Sequence, residues 1–94
     1  MSFLKALFGR RSEAASPAVS KEIEHNGFLI RATPFKEGGQ FQTCGIVSKT
    51  VAGELREHRF IRADRFSTLE EAADFSLAKG RQLVDEQGER VLLS

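Results

Sequence analysis

The sequence predicts an α+β domain: a four-stranded antiparallel β-meander with one C-terminal amphipathic helix packed on one face, preceded by a flexible N-terminal tail. Three observations carry that prediction. Asn26-Gly27 stands between "IEH" and "FLIRAT", and Asn-Gly is the strongest two-residue hairpin signal because both positions accept positive φ. Two further turn signals, "KEGG" at Lys36 to Gly39 and Ala52-Gly53, mark off the strands "FQTCGIVSKTV" and "ELREHRFIRAD". The last third then changes from period two to helical period.

In chain order, residues 1–20 form the tail and residues 21–94 the single domain. Within the tail, "SEAASPAVS" is small, polar and broken by Pro17, the composition of a linker. Pairing outward from Asn26-Gly27 sets His25 opposite Phe28 and Ile23 opposite Ile30. It puts Ile23, His25, Phe28, Ile30 and Ala32 on one face. Thr43, Gly45 and Val47 join that face if the second turn pairs Phe35 with Gln40. On the fourth strand, alternation puts Arg56, His58, Phe60 and Arg62 on one side and Leu55, Glu57, Arg59, Ile61 and Ala63 on the other.

The helix starts at a capping box, either Ser67 with Glu70 or Thr68 with Glu71. Leu69, Ala72, Ala73, Ser76, Leu77, Gly80, Leu83 and Val84 fall within an arc of about 140°, the apolar face of an amphipathic helix. Ala73 and Gly80 are small enough to let that face approach the sheet closely. Gly88 suits the helix end. "RVLLS" reads as a frayed tail or a short extra strand.

Composition narrows the function classes. The chain has 94 residues and a net charge of +1, which excludes the overall basicity of a nucleic-acid coating protein. The excess is local: Lys5, Arg10 and Arg11 stand in residues 1–11 without an acid, while residues 21–94 carry eleven Lys/Arg against twelve Asp/Glu. Cys44 is the only cysteine, so an intrachain disulfide is impossible and a reducing compartment is expected. The opening "MSFLKALFGRR" has its charges in the wrong order for a secretory signal, and no run approaches the roughly 18 apolar residues of a membrane span. The expected location is cytoplasmic, with at most contact at a membrane surface.

Two stretches are candidate contact sites. Residues 53–66 hold Arg56, Arg59, Arg62 and Arg65 beside Glu54, Glu57 and Asp64, a net of about +1. Phe60 flanked by Arg56 and Arg62 would make a stacking platform for single-stranded nucleic acid if its face were open. Cross-strand ion pairing is the plainer use of the same charges. Arg10 and Arg11 would add phosphate contacts from the tail. There, Phe3, Leu4, Leu7 and Phe8 form an i, i+1, i+4, i+5 stripe with a basic rim, the pattern of an anchor to a membrane surface or a partner's groove.

Catalysis is not expected. Cys44 and His58 are the nearest approach to a nucleophile and base, but no third group is marked to orient the histidine. His25, His58 and one cysteine do not make a metal set, and "KEGGQ" lacks the context of a phosphate loop. No cofactor is implied. The helix, with five acids against Lys79 and Arg81 over residues 67–87, would be repelled by a duplex. No second helix precedes it to build a helix-turn-helix.

"FKEGGQF", "EHRFIRAD" and "EEAADFSLAKGRQLVDEQGERV", with the "MSFLKALFG" start and the "NGF" turn, resemble the short bacterial HlyU transcriptional activator family over nearly the whole chain apart from the linker. The resemblance implies a regulator of transcription and brings no catalytic motif. The expectation is a small non-enzymatic regulator acting by DNA or protein contact. The alternative is an interaction module docked on a membrane surface or partner through its N-terminal peptide. Either free edge of the sheet is able to pair with a second copy.

Overall fold

The computed structural model describes residues 18–93. Its strands are β1 (Lys21–His25), β2 (Phe28–Ala32), β3 (Phe35–Glu37), β4 (Gln40–Val51) and β5 (Glu54–Phe66). They are followed by α1 (Leu69–Gln87) and a 3₁₀ segment (Gly88–Leu93). All strand pairs are antiparallel. Asn26 and Gly27 both have positive φ, 51° and 85°, so the β1–β2 turn twists with its strands and pairs His25 with Phe28 as expected.

Five strands occupy four rows. β4 is flanked along one edge by β5 and along the other by β2 and then β3. The second row of the expected meander is therefore one strand interrupted at Thr33-Pro34. Pro34 has no N–H for the ladder, whereas Thr33 keeps its bond, donating to the Cys44 carbonyl at 2.9 Å. The next turn is tighter than expected. Gly38 and Gly39 alone make it, so Glu37 meets Gln40 and Phe35 meets Gln42 rather than Gln40. A shift of two preserves parity, and Thr43, Gly45 and Val47 keep the face assigned to them.

That face packs against α1. Thr68 is the N-cap, its Oγ1 accepting from the Glu71 N–H at 3.1 Å, which selects the second of the two capping boxes. Ala72, Ala73, Ser76, Leu77, Gly80, Leu83 and Val84 are buried, while Leu69, at the start of the stripe, is 42 % exposed. The core joins these to Phe28, Ile30, Ala32, Val47 and Phe60. Gly80 marks the closest approach: a Cβ there would lie 2.4 Å from Ile30 Cγ2.

Gly88, at φ 58°, turns the chain out of the helix, and residues 88–93 form neither a frayed end nor a strand. Val91 and Leu92 are both buried. Neighbours on a strand point to opposite faces, so a 3₁₀ segment is what lets both enter the same core.

Polar side chains fasten α1 and the 3₁₀ segment along the sheet. Lys21 Nζ donates to Asp74 at 2.7 Å and Glu70 at 2.9 Å, His25 meets Asp85 at 2.8 Å, and Lys49 donates to Glu89 at 2.7 Å. Asp74 first, then Glu70, holds the Lys21 ammonium above its ordinary pKa of 10.5.

One irregularity breaks the β4–β5 ladder. Cys44 pairs with Ile61 and Gln42 with Arg65, so Arg62, Ala63 and Asp64 lie opposite Thr43 alone. Side chains take up the backbone groups that the bulge displaces. Gln42 Nε2 donates to the Arg62 carbonyl at 2.9 Å and Thr43 Oγ1 to the Asp64 carbonyl at 3.0 Å. Beside the interruption at Thr33-Pro34, Ser76 Oγ of the helix accepts the Cys44 N–H at 3.2 Å and donates to the Ala72 carbonyl at 2.7 Å.

Candidate functional site

One helix covers one face, and the other face of the sheet is left open among the described residues. Ile30, packed under Gly80, and Lys21 and His25, paired to helix acids, fix the covered side. By alternation Glu22, Glu24, Leu29, Arg31, Phe35, Ile46, Leu55, Glu57, Arg59, Ile61 and Arg65 belong to the open side. The register runs across the sheet in rows. Glu22, Arg31, Ile46 and Arg59 make one, Glu24, Leu29, Ser48 and Glu57 the next, and Cys44 and Ile61 lie on the other side of the first.

The apolar part of this face is real surface. Leu55 is 66 % exposed and Ile61 51 %, with Leu29, Phe35 and Ile46 half-buried between neighbours. Along β5 the two exposed apolar residues are separated by Glu57 and Arg59, so apolar and charged side chains alternate across this face. Over its middle, Arg31 Nη2 donates to Glu57 at 2.6 Å, spanning β4. Glu22 and Glu24 on one edge, and Arg59 and Arg65 on the other, have no ion-pair partner among the described residues.

The four arginines singled out in the sequence do not form one patch. Arg59 and Arg65 lie on the open side, Arg56 on the helix side, and Arg62 in the bulge opposite Thr43. Arg56 is 3.3 Å from Glu54 and lines a cleft of about 220 Å³ with Val51, Glu89, Arg90, Leu92 and Leu93. That is below the roughly 300 Å³ at which small-molecule pockets usually begin. Arg62 is half-buried. Phe60 does not offer a platform: it is 7 % exposed and lies over Gly45, where a Cβ would come within 2.5 Å of its Cζ. Arg10, Arg11, Phe3, Leu4, Leu7 and Phe8 fall outside the described residues.

Cys44 and His58 are on opposite sides of the sheet. Cys44 pairs with Ile61 and is fully buried, with Thr33 Oγ1 donating to its Sγ at 3.4 Å, whereas His58 pairs with Val47 on the helix side. They cannot act together as nucleophile and base. Among the described residues, no three of His, Cys, Asp and Glu gather as a metal site.

What the sequence reading missed is the coherence of the open face. Leu55, Ile61 and Arg59 were visible as one alternation class, but Glu22, Glu24, Leu29, Arg31 and Ile46 enter through the β1–β2–β4 register. The signal was the spacing Glu22, Glu24 and Leu29, Arg31 around Asn26-Gly27, which sets two more open-face strips beside the first.

The described residues thus form a sheet with one helix-covered face and one open face that carries both apolar and charged side chains. The family model described as transcriptional activator HlyU matches residues 2–92, and the chain belongs to that family. No curated protein and no solved structure matches it. None of the described helices is long and apolar enough to cross a membrane.

Proposed function

We propose that the protein is a small non-enzymatic regulator of transcription that acts through protein contact at the open face of its sheet, not by reading duplex DNA. Its family supports a regulatory role. The observation that carries the choice of partner is the composition of the open face. Leu29, Ile46, Leu55 and Ile61 lie among four acids, Glu22, Glu24, Glu37 and Glu57, and three arginines, Arg31, Arg59 and Arg65. A duplex-binding surface carries a clear cationic excess and releases counterions. This surface has no cationic excess, and mixed charges among exposed apolar side chains suit a protein interface. Arg59 and Arg65 are then orienting contacts at its rim.

The test is fluorescence anisotropy of labelled duplex with the full chain at about 50 and 200 mM salt, the range in which phosphate contacts weaken steeply. The expected result is no binding tighter than about 10⁻⁴ M at the higher salt. Tighter binding with a steep salt dependence, lost when Arg56, Arg59, Arg62 and Arg65 are changed to Ala, would overturn the reading and restore the arginines as phosphate contacts.

A further inference from the structure

We propose that the open face pairs with the same face of a second copy of this chain, about a twofold axis running along the strands. The inference rests on the reading of that face as a protein-contact surface and names what it contacts. The row Glu22, Arg31, Ile46 and Arg59 crosses all four rows of the sheet, with its acid on β1 at one edge and Arg59 on β5 at the other. A twofold axis parallel to the strands lays β1 of one copy over β5 of the other. Glu22 then meets Arg59 of the second copy, and by symmetry the contact is made twice.

The alternative twofold axis, across the strands, sets the acids of β1 on those of the second copy's β1 and forgoes both Glu22–Arg59 pairs. In the favoured arrangement Leu29 and Ile46 lie near the axis. Glu24 meets Glu57 of the second copy, an acid pair offset by Arg31, which holds the Glu57 carboxylate at 2.6 Å. Sheets packed this way lie about 10 Å apart with strands crossed by about 30°, which leaves room for the arginine and isoleucine side chains between them.

The size is consistent with a reversible pair. Four rows spaced by about 4.8 Å and about ten residues at roughly 3.3 Å each give a face on the order of 600 Å². A standard interface buries about 800 Å² on each partner, so the expected dimer is of micromolar class.

Analytical ultracentrifugation of the full chain between about 1 and 100 µM tests this directly, since that range brackets such a constant. The chain should pass from monomer to dimer. Ile61→Glu, Arg59→Glu and Glu22→Arg, each with an unchanged circular dichroism spectrum, should weaken the dimer at least tenfold. An equimolar mixture of the Arg59→Glu and Glu22→Arg chains should regain it, because both contacts are complementary again.

A chain that stays monomeric, or a dimer indifferent to all three substitutions, overturns the pairing. The anisotropy experiment then separates the two readings. A monomer without salt-steep DNA binding leaves the face to a different protein and removes only the pairing. A monomer that binds duplex steeply removes the pairing and the protein-contact reading together.

Discussion

Ser76 shows how one side chain can license an irregularity in a neighbouring sheet. The Cys44 N–H lies beside the interruption at Thr33-Pro34, buried where water cannot serve it. Ser76 Oγ accepts it at 3.2 Å while donating to the Ala72 carbonyl at 2.7 Å. Serine is an indifferent helix former, so its place on the apolar stripe is better explained by this contact than by propensity. Ser76→Ala should cost about 1–3 kcal/mol, the usual penalty for stranding a buried donor. Chemical denaturation measures it, and amide exchange at Cys44 should quicken together with the loss. An unchanged midpoint and unchanged exchange would mean that the bond contributes nothing. Nothing near Ser76 in the sequence announces this role. The helix stripe was legible, but the contact depends on two strands and a helix meeting.

At the scale of elements, β1 is an edge strand held on its outer flank by the helix. Lys21 bridges Asp74 and Glu70, and His25 reaches Asp85, so acids that a helical wheel assigns to solvent act as fasteners. Because the folded state raises the Lys21 pKa above 10.5, its contribution is complete below that value and is lost as pH rises through the folded value. Thermal melts of the wild type and Lys21→Met between about pH 9 and 12 check the sign. The gap between them should be widest at the lower end and close toward the upper. A gap that is constant, or that widens with pH, would contradict it.

The same elements show what the chain's pattern could and could not convey. Asn26-Gly27 fixed a register of five residue pairs because its turn type admits one geometry. "KEGG" left the register open by two, since either the pair Gly38-Gly39 or the whole tetrapeptide can close a hairpin. Parity protected the face assignment. The terminal "RVLL" failed as a strand because two adjacent residues share one core, which only the packed helix and sheet decide.

For the whole molecule, the decisive asymmetry is that a sheet of four rows has one helix. Alternation along β5 already separated Arg56 and Arg62 from Arg59 and Arg65, but which side lay open depended on where α1 came down. The Ile30 contact with Gly80 shows that it came down on the side of Phe60. That placement removes the aromatic platform from solvent. It leaves Leu29, Ile46, Leu55 and Ile61 outside, among four acids and three arginines. On the proposed reading, these are the side chains that meet another protein.

The most direct measurement of that claim is a transcript profile of the cell that encodes the protein, comparing the gene deletion with a strain carrying Ile61→Glu. Ile61 is 51 % exposed and outside the helix-packed core, so the substituted chain should accumulate at the normal level. The account predicts that Ile61→Glu reproduces the transcript changes of the deletion, while Arg81→Ala on the exposed side of the helix leaves the profile unchanged. A wild-type profile with Ile61→Glu present at normal abundance would contradict it, and would take the regulatory contact away from the open face.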